Sequence, residues 1–122
     1  MNIIFGELLM NLETMSIKEI WEQVEQVLRT DQEPYKHLNA IYGLHLDEDV
    51  YQLHFNNGEI NFYEGIVENA QCTLRMSEKN FKKFLKGDLN HAMAFMSGQL
   101  KVDGDIRLAL SLEKILRKYN LF

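Results

Sequence analysis

The chain has 122 residues, 46% of them hydrophobic and 25% charged, a length and composition typical of one globular domain with a substantial core. Its formal net charge of −5 at pH 7 argues against nucleic acid as a partner, because binding to phosphates requires a basic surface. The single cysteine excludes an internal disulfide framework and suits a reducing cytoplasm.

The first fifteen residues are predicted to form a loosely held N-terminal extension, as chain ends do unless they are tied to the core. The segment MNIIFGELLM is apolar, but it is too short to span a bilayer. It also lacks the positive region and the cleavage site of a signal peptide. Residues 1–15 are therefore assigned to the extension and residues 16–122 to a single cytoplasmic domain.

The first predicted helix begins after a capping box formed by Ser16 and Glu19. Apolar residues then recur at helical spacing, with charged residues on the other side, as in an amphipathic helix that packs on a core. This pattern predicts a helix that ends near Thr30. Pro34, the only proline, starts a short turn after it.

Two strands are predicted over residues 39–46 and 50–56. The acidic run Asp47-Glu48-Asp49 joins them, and it is interpreted as a solvated hairpin tip because it lacks the spacing of a calcium loop. Asn57-Gly58 then predicts a two-residue hairpin to a third strand, since both residues tolerate positive φ.

This hairpin turn fixes a register that can be checked. Phe55 should face Ile60, and Leu53 should face Phe62, so that all four apolar side chains lie on one face of the sheet. A fourth strand over residues 70–76 alternates between apolar and polar positions. Its inward residues are predicted to be Cys72, Leu74 and Met76.

Two helices are predicted to follow the fourth strand. Ser77 caps the first, which ends before Gly87, and Asp88 caps the second, which Gly98 closes. Helices thus flank a run of strands, and the predicted fold class is α+β.

A short fifth strand over residues 100–103 leads through a turn at Gly104 to a last helix capped by Asp105. This helix is apolar around more of its circumference than one buried stripe requires. A second surface must therefore cover it, either ordinary core, a partner or an apolar ligand. The apolar positions are Ile106, Leu108, Ala109, Leu110, Leu112, Ile115 and Leu116.

The sequence contains no pattern that predicts catalysis, a metal site or a cofactor site. The four histidines lie in separate elements without metal-ligand spacing, and we interpret them as surface or hydrogen-bonded structural residues. Cys72 lies on the apolar side of its strand, where a free cysteine behaves as a small hydrophobe. We therefore expect no enzyme activity. The histidines are His37, His45, His54 and His91.

Four lysines form a basic stripe on the helix that follows Ser77. Their i, i+3, i+4 and i+7 spacing aligns them opposite the apolar side of the helix. Such a stripe can be a solvated face, or it can contact an anionic headgroup, a coenzyme A phosphate or a membrane surface. The lysine stripe comprises Lys79, Lys82, Lys83 and Lys86.

One pattern of residues extends over the last third of the chain. It consists of Phe81 and Leu85, a Gly-x-Leu-x step at residues 87–90, the run Ala94-Phe95-Met96-x-Gly98-x-Leu100-Lys101-Val102-x-Gly104-Asp105, and Leu108-Ala109-x-x-Leu112. This pattern resembles the C-terminal half of the sterol carrier protein type 2 family. The order of the upstream elements extends the resemblance to about residues 16–116.

The resemblance implies a five-stranded, mostly antiparallel sheet covered by about five helices, with an apolar tunnel between sheet and helices. It also implies a non-catalytic intracellular carrier whose ligand is a fatty acid, an acyl-CoA, a sterol-like molecule or an isoprenoid. The last helix, with residues 119–122, would act as a movable cover. The tunnel-wall residues implied by position are Phe81, Leu85, Met93, Phe95, Met96, Ile106, Ala109 and Leu112.

Two other functions remain open from the sequence. The apolar excess of the C-terminal helices also fits an interaction module that binds a partner or a second copy of the chain. An accessory subunit that presents a lipid to an enzyme is a third interpretation. The expected partners are an apolar lipid and, transiently, a membrane surface, with no nucleic acid, and the expected state is a monomer or a homodimer.

Overall fold

A computed structural model describes residues 12–119 and 121 of the chain. Four α-helices and five β-strands follow one another there in the predicted order, after a short 3-10 helix at Leu12–Thr14. The helices are α1 (Ile17–Arg29), α2 (Glu78–Lys86), α3 (His91–Met96) and α4 (Ile106–Arg117). The strands are β1 (Ala40–Leu46), β2 (Asp49–Asn56), β3 (Glu59–Glu64), β4 (Cys72–Met76) and β5 (Lys101–Gly104).

The five strands form one mixed sheet in the order β3-β2-β1-β4-β5. The central pair β1 and β4 is parallel, and the other three neighbouring pairs are antiparallel. The α+β class and the mostly antiparallel sheet are therefore confirmed. About five helices were expected, and the described residues form four α-helices and one 3-10 helix.

The register of the predicted hairpin is confirmed. Phe55 pairs with Ile60 and Leu53 pairs with Phe62 across β2 and β3. The connecting residues Asn57-Gly58 both have positive φ, as the tight turn requires. Three of the four apolar side chains are buried, and Phe62 is half-buried, so this face of the sheet lies against the core.

Helix α1 packs on the core through the apolar side that its spacing predicted. The Ser16 hydroxyl accepts from the Glu19 amide, and the Glu19 carboxylate accepts from the Ser16 amide, both at 3.1 Å. This capping box satisfies two amide groups that the first helical turn leaves unpaired. The Trp21 ring stacks on Phe62 at 6.0 Å, which places α1 over β3.

Helix α3 begins later than the sequence predicted. The predicted cap, Asp88, instead belongs to the end of α2, where its amide donates to the Lys83 carbonyl at 2.8 Å behind the left-handed Gly87. Asn90 is the cap of α3, and its side chain accepts from the Met93 amide at 3.1 Å. The Asp88 assignment was wrong because the Schellman ending of α2 uses that residue.

Both described ends of the chain pack against the domain. Leu12 and Met15, which the sequence analysis placed in the N-terminal extension, are buried in the core. At the other end, the Tyr119 hydroxyl donates to the Asp31 carbonyl, and Leu121 is buried. Residues 1–11 of the predicted extension, and residues 120 and 122 of the predicted cover, lie outside the described residues.

A loop over residues 65–71 covers part of the opposite face of the sheet. Gln52 of β2 points to that side and is only 2% exposed. Its amide nitrogen donates to the Glu68 carbonyl at 2.6 Å, and its oxygen accepts from the Val67 and Glu68 amides at 3.2 Å each. His54 lies 2.9 Å from the same oxygen. The buried side chain of Gln52 thus joins this loop to the sheet through hydrogen bonds.

Candidate functional site

An apolar cavity of about 310 Å³ lies between β4, β5 and the helices α2, α3 and α4. All but two of the residues around it are apolar, which is the chemistry expected of a site that takes an apolar ligand. The residues that line this apolar cavity are Leu74, Phe84, His91, Ala92, Phe95, Leu100, Val102, Ile106, Ala109, Leu110 and Glu113.

The structure brings three of the eight predicted wall residues together in the apolar cavity, namely Phe95, Ile106 and Ala109. Leu85 lines a neighbouring cavity. Phe81 and Leu112 are buried in the core beside these spaces without lining them.

The remaining two predicted wall residues lie on the outside of α3. Met93 is 67% exposed and Met96 is 86% exposed, because the short helix turns Ala94 toward the core instead. Phe95, Ile106 and Leu110 are also exposed by half or more, although all three line the apolar cavity. We call these five residues the exposed apolar rim.

The positions of the apolar residues of α4 explain why this helix is apolar on more than one side. Leu112, Ile115 and Leu116 of α4 are buried in the core. Ile106, Ala109 and Leu110, on another side of the same helix, line the apolar cavity. The second surface that the sequence required is thus a cavity wall.

No helix in the described part of the chain is both long enough and apolar enough to cross a membrane.

A second, mixed cavity of about 480 Å³ adjoins the first. Phe84, His91 and Glu113 line both cavities and therefore stand between them. The residues that line the mixed cavity are Phe84, Leu85, Lys86, Gly87, His91, Glu113, Leu116, Arg117, Tyr119 and Leu121.

A chain of close contacts between charged and polar side chains, which we call the polar chain, occupies the boundary between the cavities. His91 Nδ1 lies 3.0 Å from Glu113 Oε2, and Glu113 Oε1 lies 2.7 Å from Arg117 Nη2. The other ring nitrogen, His91 Nε2, is shielded from solvent and has no hydrogen-bond partner among the described residues. An unpaired buried polar atom of this kind costs about 1–3 kcal/mol.

Sequence reasoning did not find this polar chain. His91 was interpreted as a surface or hydrogen-bonded structural histidine, and its contact with Glu113, on a helix that follows an intervening strand, was not predicted. The one available signal was the i, i+4 spacing of Glu113 and Arg117, which pairs opposite charges on a helix. That spacing gives no indication of the contact with His91.

The thiol of Cys72 is a poor nucleophile. The side chain is buried, and burial raises its pKa to about 11, with the nearby Asp105 carboxylate acting in the same direction. Since the thiolate is the reactive form, this environment disfavours cysteine chemistry. The described residues also contain no group of three or more His, Cys, Asp or Glu side chains placed to hold a metal ion.

One of the four lysines of the stripe on α2 contacts other residues of the chain, and the other three are exposed. The Lys82 ammonium donates to the Glu13 carbonyl at 2.9 Å and lies 3.7 Å from the Glu78 carboxylate, and its side chain is only 12% exposed. Lys79, Lys83 and Lys86 are exposed. Lys86 also lines the mixed cavity, so the stripe reaches the edge of the site.

Comparisons with known proteins agree with this fold. A family model described as the SCP-2 sterol transfer family matches residues 21–117. Hydroxysteroid dehydrogenase-like protein 2 of Bos taurus is 42% identical over 53 residues, which cover 43% of this chain and 13% of that protein. Sterol carrier protein 2 of Homo sapiens is 23% identical over 103 residues, which cover 79% of this chain and 19% of that protein. The chain thus spans less than a fifth of the length of these relatives.

Solved structures with the same fold include a solution structure of the sterol carrier protein domain 2 of Helicoverpa armigera. It has a TM-score of 0.69 and 20% identity, and the match covers 83% of this chain and 84% of that one. The apo form of Sterol Carrier Protein 2 from Yarrowia lipolytica has a TM-score of 0.58 and 27% identity, with 76% and 77% covered. Palmitated SCP2L2 from Aedes aegypti has a TM-score of 0.65 and 16% identity, with 84% and 95% covered.

Proposed function

Because this chain belongs to the SCP-2 sterol transfer family, we propose that it is a non-catalytic carrier that holds a long-chain apolar ligand in the apolar cavity. The observation that carries the proposal is the composition of that cavity, which is apolar except for His91 and Glu113. The proposed ligand classes are fatty acids, acyl-CoA, sterol-like molecules and isoprenoids. Residues 16–122, with the core extended back to Leu12, would form the single lipid-binding domain.

Binding in such a cavity comes mainly from apolar area removed from water, at roughly 25 cal/mol per Å². One methylene more or less changes the affinity by only about 0.8 kcal/mol, so the chain length of the ligand is weakly selected. Phe95, Ile106 and Ala109 would form the wall against the ligand. Phe81, Leu85 and Leu112 would support that wall from the core side, and Met93 and Met96 would border the entrance.

The first test is native mass spectrometry of the protein purified from cells, followed by solvent extraction and identification of what is released. We expect a stoichiometric long-chain lipid. A protein that carries no lipid and takes up none of the added lipids would contradict the carrier function.

A cavity-filling variant tests the location of the ligand. Ala109→Phe places a ring in the apolar cavity, and we expect it to weaken lipid binding by roughly tenfold or more, because the ring displaces area that the ligand would bury. Ser111→Phe is the matched control, since it adds a ring to the same helix at a residue that does not line the cavity. Fluorescence titration with a fatty-acid probe, with folding checked by circular dichroism, compares the two. Equal loss in both variants would place the ligand elsewhere.

The exposed apolar rim keeps a second function open, namely an interaction module that binds a partner or a second copy of the chain. Exposed apolar surface of this kind marks many protein interfaces. The same native mass spectrum separates the two functions, because a lipid-free dimer would favour the module. An accessory subunit would bind lipid normally, yet lose its activity when the lysine stripe is reversed in charge.

A further inference from the structure

The unpaired nitrogen of His91 lies at the boundary of the two cavities. His91 lines both of them, and its Nε2 has no hydrogen-bond partner among the described residues. Buried polar atoms are nearly always paired, so an unpaired one at a cavity wall is a position where a ligand atom can supply the missing partner.

The contact at Nδ1, on the other side of the imidazole ring, determines whether Nε2 donates or accepts a hydrogen bond. Glu113 Oε2 lies 3.0 Å from His91 Nδ1, and this contact favours the proton on Nδ1, because a carboxylate oxygen and an unprotonated ring nitrogen would repel each other. In the neutral ring, Nε2 is then an acceptor. The group that meets it must therefore donate a hydrogen, as a carboxylic acid, an alcohol or an amide does.

The charges around the mixed cavity favour the carboxylic acid among these donors. Lys86 and Arg117 line this cavity, and Glu113, the one acidic residue there, is already bound to His91 and Arg117. A carboxyl group that transfers its proton to Nε2 leaves a carboxylate beside an imidazolium, with two further cations nearby. Glu113 stabilises that imidazolium from the opposite side, as a carboxylate partner of histidine does.

We propose that His91, oriented by Glu113, binds the polar end of the ligand and selects a long-chain carboxylic acid over the matching ester or alcohol. The acyl chain lies in the apolar cavity, and the carboxyl group lies at the boundary with the mixed cavity. In the complex, one proton lies on Nε2 opposite the ligand carboxylate; it comes from the un-ionised acid or, when the ligand is already ionised, from solvent, and no other reactant is consumed. Phe84, whose ring centre lies 5.1 Å from that of His91, borders both cavities beside it, and the side chains that shield Nε2 must move for the ligand to reach it. This inference rests on the proposed carrier function and specifies its ligand.

The test compares three ligands of the same chain length on lipid-stripped full-length protein: hexadecanoic acid, its methyl ester and hexadecanol. Calorimetric titration should show that the wild type prefers the acid over the ester by about tenfold or more, the range expected for a hydrogen bond to a charged group. His91→Leu should remove that preference by weakening acid binding while leaving ester binding unchanged. Glu113→Gln should reduce the preference, since the amide no longer stabilises an imidazolium. His37→Gln, an exposed histidine outside both cavities, is the control.

The outcomes separate this inference from the carrier function on which it rests. A wild type that binds all three ligands equally, or a His91→Leu variant that keeps the preference, would overturn the role of His91 while leaving the carrier function intact. Hexadecanol binding as tightly as the acid would also overturn it, because a neutral hydroxyl would then suffice. Failure to bind any of the three would overturn the role of His91, and the carrier function would fail with it only if native mass spectrometry also finds no bound lipid and no uptake of added lipids.

Discussion

Gly104 closes β5 at a point where no other residue fits without strain. Its φ is +93°, and a Cβ there would fall well inside contact distance of the Gln71 carbonyl oxygen. Gly98 has a similar φ of +79°, but a Cβ there would meet nothing within 4 Å. Alanine substitutions at the two glycines therefore distinguish the free-energy cost of the left-handed backbone conformation from the cost of a steric overlap.

We expect Gly104→Ala to lower the free energy of unfolding by roughly 3 kcal/mol or more, because it adds steric overlap to the left-handed conformation. Gly98→Ala should cost only about 1–2 kcal/mol, the conformational part alone. Urea denaturation of both variants measures the difference. Equal losses would show that the strand end shifts freely to accommodate the methyl group.

Some single residues could be predicted from the sequence because their partners are close along the chain. Ser16, Ser77 and Asp105 cap the helices as predicted, each through an amide two or three residues away. The contact of His91 with Glu113 could not be predicted, since β5 and its turns lie between the two residues. Capping contacts between residues close along the chain can be predicted from a sequence, whereas a contact across an intervening strand depends on the tertiary fold.

At the scale of elements, the loop over residues 65–71 depends on Gln52. Three hydrogen bonds join its side chain to Val67 and Glu68, within a nearly solvent-free environment. Removing the side chain leaves the amides of the loop without their acceptor and a loop carbonyl without its donor.

We expect Gln52→Ala to lower the free energy of unfolding by about 1–3 kcal/mol, the cost of leaving buried polar groups unpaired. Amide hydrogen exchange should also rise within residues 65–71 and stay unchanged in α2, whose buried residues Phe81 and Leu85 belong to the core. Gln23→Ala, at a half-buried position on α1, is the matched control. Unchanged exchange in the loop would mean that other contacts hold it in place.

The faces of the elements were predicted with uneven success, for a physical reason. Periodicity assigned the buried sides of α1, β2 and β4 correctly, because apolar and polar residues alternate there with the period of a helix or a strand. Helix α3 has only six residues, almost all apolar, so its sequence does not reveal which side faces inward. The structure buries Ala94 and exposes Met93 and Met96.

At the scale of the molecule, the lysine stripe offers a local positive surface on a chain of net charge −5. Lys79 and Lys83 are exposed there, on the helix that lines both cavities through Phe84. Under the proposed function, the chain would exchange its ligand at a membrane, and a lysine near an anionic bilayer contributes about 1 kcal/mol.

We expect the double variant Lys79→Glu/Lys83→Glu to bind anionic vesicles at least roughly tenfold more weakly than the wild type, because two favourable charges become repulsive. Ligand affinity should be unchanged, since neither lysine lines a cavity. Lys18→Glu/Lys36→Glu makes the same change in net charge elsewhere on the surface. Co-sedimentation with phosphatidylserine-containing vesicles at low and high salt compares them. If both pairs weaken binding equally, net charge rather than the stripe is responsible.

The strand order of the sheet was predicted neither by the residue patterns nor by the resemblance, which implied only a five-stranded, mostly antiparallel sheet. Strand patterns predicted the five strands and the β2–β3 register, yet the parallel pairing of β1 with β4 joins segments separated by two other strands. No local signal in the sequence specifies that pairing. The cavities are equally non-local, because their walls come from α2, α3, α4 and the sheet together.

Helix α4 contributes Leu112 and Ile115 to the core and Ala109 to the wall of the apolar cavity. Any molecule that fills the cavity therefore completes the packing of a helix on which the whole domain depends. A ligand that binds only the folded chain adds RT ln(1 + [L]/Kd) to its stability, about 2.7 kcal/mol when the free ligand is at a hundred times Kd. Under the proposed function, the lipid supply of the cell would thus set how long each copy of the protein survives proteolysis.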